Sequence, residues 1–100
     1  MNMQQMMIQA QRLKRELEKA KEALAEQEFE VSKGGAVKVV VMGNRTIKSI
    51  SIDESAFEKD NKEMIEDMLT MALNEAFEKI EAANEEINRK LTGGVGGFGF

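Results

Sequence analysis

The sequence contains no cysteine, histidine, tryptophan, tyrosine or proline. Without cysteine or histidine there is no thiolate nucleophile, no imidazole base and almost no route to a zinc site, so catalysis would rest on carboxylates, lysines and hydroxyls alone. The missing cysteines also exclude a disulfide scaffold, which fits a reducing compartment. No apolar run approaches the roughly twenty residues that cross a bilayer, and the opening MNMQQMMIQAQ lacks a basic region ahead of an apolar one. The expectation is a soluble, unsecreted cytoplasmic chain of one domain, with no metal and no cofactor. At 100 residues its core is modest, so a second subunit is expected to contribute stability.

Positive charge is also short, the net being −4 at pH 7. Taken alone this argues against nucleic acid, whose binders usually show a basic face. The distribution is uneven, however. Residues 1–52 hold nine Lys/Arg against six Asp/Glu, a net of +3, while residues 53–100 hold five against twelve, a net of −7.

What is present is periodic. Met3, Met6, Ala10, Leu13, Leu17, Ala20 and Leu24 recur in steps of three and four, a heptad seam that predicts a helix from about residue 2 to about residue 27. The segment EFEVSK then alternates with period two, Gly34-Gly35 signals a hairpin, AVKVVVM is β-branched, Gly43-Asn44 signals a second hairpin, and TIKSISID closes a three-stranded antiparallel meander. Ile50 and Ile52 are expected on one face and Ile47, Ser49 and Ser51 on the other; with valines on both faces, the sheet is expected to be covered twice. A short helix at SAFEK precedes the spacing Asp60-x-x-Glu63, a capping-box signature for a long helix from about 61 to about 91. Its apolar residues Ile65, Leu69, Ala72, Ala76, Ile80, Ala83, Ile87 and Leu91 repeat closer to eleven than to seven.

The predicted fold is therefore α+β: helix, meander, short helix and long helix over residues 1–92, followed by a Gly/Phe tail over 93–100. Within that tail Gly94-Val95-Gly96-Gly97-Phe98-Gly99 spells G-x-G-x-x-G. A nucleotide site needs a helix after those glycines, and one residue is left. The alternative reading is that Gly93 or Gly94 ends the long helix in the left-handed conformation.

Helices of about 40 and 45 Å overhang six-residue strands of about 20 Å. If both fold back across the sheet, they overhang opposite ends and cannot pair within one chain. The expectation is a homodimer with a compact centre and two projecting arms, each built from both chains.

These residues resemble a known family. The order helix, Gly34-Gly35-Ala36-Val37-Lys38-Val39, Gly43 and Ile50-Ser51-Ile52-Asp53 is similar to the YbaB/EbfC family of bacterial nucleoid-associated proteins, over nearly the whole chain. The resemblance implies a tweezers-like dimer that binds DNA with little sequence preference, associated with the nucleoid, and it implies no catalytic or metal residues.

On the heptad, Arg12, Arg15 and Lys19 face away from the seam as one basic stripe, and with Arg89 and Lys90 they are the candidate contacts to DNA phosphate. The alternative is that all five are solvated charges, Arg12 paired with Glu16, Arg15 with Glu18 or Glu22, and Arg89 and Lys90 complementing a helix C-terminus. Lys14 and Lys21 flank the seam and are expected to pair with Glu75, Glu78, Glu81 or Glu85. No recognition-helix motif or stacking aromatic supports base readout. A competing function is a protein-interaction or chaperone-like clamp without direct DNA binding, favoured by the acidic total and the Met-rich start. An enzyme using Asp53, Glu54, Asp60 and Glu63 is the most remote reading, because those positions also suit helix caps.

Overall fold

The computed structural model describes residues 2–92. Helix α1 spans Met3–Glu26, strands β1, β2 and β3 span Glu28–Lys33, Val37–Met42 and Ile47–Ile52, and helix α2 spans Lys62–Thr92. The Asn2 side chain accepts a hydrogen bond from the Gln5 N–H at 2.8 Å and so caps α1. In place of the expected short helix stand two 3-10 turns, Glu54–Ala56 and Lys59–Asn61. The second turn leads directly into α2, so a tightened turn rather than a capping box starts that helix, within two residues of the expected position.

The three strands pair antiparallel in the order β1-β2-β3. Cross-strand partners share a face, and the register puts Phe29 beside Val41 and Val31 beside Val39, all buried. The opposite face is polar: Lys48 bonds Glu28 at 2.5 Å and Lys38 bonds Glu30 at 3.0 Å across the strands. Two-sided covering is therefore not what occurs, because the acidic residues alternating through β1 and the lysines of β2 and β3 keep one face wet. A β-bulge at Val40/Val41 accounts for a second difference. It pairs Ile47 with Val41 and Ser49 with Val40, moving Ile47 onto the apolar face with Ile50 and Ile52.

Helix α2 crosses that face over β1 and β2. Ala72 and Ala76, both fully buried, let its backbone approach closely, and Ile80 completes a core with Phe29, Val31, Val37, Val39 and Val41. Helix α1 does not fold back over the sheet as expected; it packs on α2. Its C-terminus is tied to the β2–β3 turn by the Gly43 N–H donating to the Gln27 carbonyl at 2.9 Å and the Asn44 N–H to the Ala25 carbonyl at 3.2 Å. From the same turn Arg45, at φ 70°, reaches Glu81 of α2 at 2.7 Å. Both helices thus leave one end of the sheet together, in a molecule 69 × 22 × 15 Å. The arm pairs two helices of one chain, which corrects the expectation of an arm shared between chains. With α1 turned outward at Gln27, the overhangs lie at the same end and cover each other.

Candidate nucleic-acid interface

The seam of α1 decides where its charges point. Leu24 is buried, and Ala20, Leu17 and Leu13 are half-buried on the arm. At 100° per residue Arg12, Arg15 and Lys19 fall on the opposite side of the helix, and all three are exposed. They span seven residues, a rise of about 10 Å. Among the described residues none of the three makes an ion pair, so the local pairs with Glu16, Glu18 and Glu22 do not form. Sequence spacing and structure agree in bringing these cations onto one open face of the arm.

Arg89 and Lys90 differ. Both are exposed near the end of α2, but Arg89 is paired with Glu86, and Lys90 lies 3.8 Å from the same carboxylate. An exposed pair of this kind is weak, about 0 to 1 kcal/mol, and exchanges readily with another anion.

Two of the four expected partners of Lys14 and Lys21, Glu75 and Glu81, are engaged elsewhere. Glu75 is bound by Lys33 at 2.8 Å and Glu81 by Arg45, and neither Lys14 nor Lys21 forms an ion pair among the described residues. The hydrogen bond from Lys33, aided by its charge and that of Lys79, holds the Glu75 carboxyl below its ordinary value. Lys14 instead flanks shallow hollows on α1, one with Gln11, Arg15 and Glu18, the other with Ala10, Leu13 and Leu17. Residue spacing could not show Lys33 and Arg45 as the partners, because one ends β1 and the other sits in the β2–β3 turn, and tertiary folding carries both to α2.

A second open surface is β3. It pairs only with β2, and on its apolar face Ile47 and Ile50 are each 44% exposed because α2 lies over the other two strands. Phe57, just beyond β3, is 66% exposed. Among the described residues no group of three or more acidic, His or Cys side chains could hold a metal ion, and no helix is long and apolar enough to cross a membrane. The G-x-G-x-x-G stretch and the glycines read as a helix stop lie outside the described residues.

Comparison with known proteins finds relatives over almost the whole chain. A nucleoid-associated protein of Ruminiclostridium cellulolyticum is 42% identical over 97% of this chain and 85% of its own length. One from Chloroflexus aurantiacus is 38% identical over 98% of this chain and 99% of its own length. One from Enterococcus faecalis is 39% identical over 97% and 94%. The family model for the YbaB/EbfC DNA-binding family matches residues 1–95. The chain therefore belongs to the YbaB/EbfC DNA-binding family.

Proposed function

We propose that this protein is a homodimeric, nucleoid-associated binder of double-stranded DNA that contacts phosphates rather than bases, through the outer stripe of α1. The observation that carries the reading is the set Arg12, Arg15 and Lys19: three exposed cations, unpaired among the described residues, on the side of the arm opposite its apolar seam. Here Glu16, Glu18 and Glu22 lie within reach in sequence and are not used, which leaves the guanidinium groups and the ammonium available to an external anion.

Dimerisation follows from β3. Its outer edge and the exposed Ile47, Ile50 and Phe57 are what a second copy covers, and antiparallel pairing of two β3 strands about a two-fold axis continues the sheet to six strands. One arm then stands at each end, each arm built from a single chain. With four to six phosphates neutralised per dimer, log affinity falls against log salt with a slope of about −4 to −5. Fluorescence anisotropy of a labelled random-sequence duplex at several salt concentrations tests this. A flat salt dependence, or no binding at low salt, contradicts phosphate contact.

A further inference from the structure

Burial falls away along the single seam of α1. Leu24 is buried, Ala20, Leu17 and Leu13 are half-buried, Ala10 is exposed, and Met6 and Met3 are 56% and 78% exposed. The cause is a difference in length between the two helices of the arm. Ala25 and Glu81 are both held at the Gly43–Arg45 turn. From there α1 reaches back about 33 Å to Met3, whereas α2 runs only about 16 Å to Thr92, so about 17 Å of α1 projects beyond its partner helix. What α2 leaves open has the form of a helix-packing site. Ala10, Leu13, Lys14 and Leu17 line an apolar hollow of about 270 Å³. They stand at i, i+3, i+4 and i+7, the four positions that make the hole into which a facing helix inserts one side chain in a coiled coil.

The side chain such a hole receives comes from another helix, and the tip of α1 carries two that α2 does not cover, Met3 and Met6. A second copy of the tip fits in packing, length and charge. Antiparallel pairing about a two-fold axis at residue 8 sets Met3 of each copy against Leu13 of the other and Met6 against Ala10, so the large side chain of Met6 meets a small one. Parallel pairing would instead set Met6 on Met6 and leave a gap at Ala10. The antiparallel overlap, residues 3–13, is about 15 Å long, within the projecting length, so neither tip meets the end of the other copy's α2. Residues 2–11 carry no charged side chain, so the two tips do not repel each other.

We propose that the projecting tips of α1 from two copies of this chain pair antiparallel, each inserting Met3 into the hollow between Ala10, Leu13, Lys14 and Leu17 of the other. One face of so short a helix segment falls below the roughly 800 Å² per partner that specific interfaces bury, so the contact is weak between free molecules. It gains strength between molecules held side by side at about millimolar effective concentration, as on one duplex, a step that rests on the phosphate-binding reading.

The chain has no cysteine, so single thiols report the pairing directly. The Met6→Cys and Ala10→Cys full-length proteins are mixed at high concentration in a glutathione buffer, with and without a random duplex, and disulfide-linked species are identified by mass. The mixed link, position 6 of one variant to position 10 of the other, is expected to form roughly tenfold faster than the link of either variant to itself. The pairing brings those two positions to the β-carbon separation of about 4 Å that a disulfide needs and leaves like positions about 6 Å out of step along the axis. Adding Met3→Lys to both variants sets a second ammonium beside Lys14 and should abolish the preference. Equal rates for all three links, with and without the duplex, overturn the proposal, as does a preference that Met3→Lys leaves intact. A mixed link preferred in solution and not accelerated by the duplex upholds the tip contact and counts against phosphate binding instead.

Discussion

A β-carbon added to Gly43 would stand 1.7 Å from the carbonyl oxygen of Leu24. The β2–β3 turn thus presses against the last turn of α1 with no room for any side chain, and this contact is the hinge that sends α1 outward instead of back over the sheet. The obstacle is main chain, which cannot rotate away as a side-chain tip could.

Gly43→Ala should therefore force the turn and the helix end apart. The expected cost is about 2 kcal/mol or more in urea unfolding, with faster hydrogen exchange at the Gly43 and Asn44 amides that hold Gln27 and Ala25. A change within about 0.5 kcal/mol, the range of ordinary surface substitutions, would show that the arm is not anchored there.

The dimer proposed through β3 predicts that Ile50→Glu separates the subunits while leaving each chain folded, because Ile50 is already 44% exposed in the single chain. A charge buried without a partner costs about 3 to 5 kcal/mol, so the dissociation constant should rise more than about a hundredfold in sedimentation equilibrium. An unaltered dimer places the interface elsewhere.

The Lys33–Glu75 contact gives a pH dependence of defined sign. Its hydrogen bond holds the Glu75 carboxyl below its ordinary value of 4.5, so whatever stability it contributes is present above that pH and is lost as pH falls through the lowered folded value. Lys33→Met should return the Glu75 titration, followed by carboxyl NMR shifts, toward its ordinary value. An unmoved midpoint would show that Lys33 is not the cause.

Glu86 restrains both Arg89 and Lys90. Glu86→Gln should strengthen DNA binding modestly and leave stability within about 0.5 kcal/mol, since exposed pairs contribute little. Unchanged or weaker binding would remove those two cations from the interface.

The sequence carried the local elements well. The seam from Met3 to Leu24, the Gly34-Gly35 turn and the uninterrupted run from Ile65 to Leu91 each report a periodicity or a backbone requirement that neighbouring residues impose on one another, and α1, the meander and α2 follow them. What the sequence did not carry is relational. The extra residue of the bulge moves Ile47 across the sheet, and no pattern within β3 announces it. The direction of α1 depends on Gly43 meeting Leu24, residues nineteen apart in sequence, and the in-chain arm depends on that direction. The candidate interface divides the same way: helical spacing alone shows the Arg12, Arg15 and Lys19 stripe, whereas the binding of Glu75 by Lys33 and of Glu81 by Arg45 exists only in three dimensions.

The central claim is that the outer face of α1 reads DNA phosphate. The most direct measurement is anisotropy of a labelled random duplex against salt for the unaltered protein and for the Arg12→Glu, Arg15→Glu, Lys19→Glu variant, checked for unchanged mass in solution. The account predicts steep salt dependence in the first and loss of binding in the second, because three phosphate contacts per arm are replaced by repulsion. Binding of equal strength in the variant, or binding indifferent to salt in the unaltered protein, would contradict it.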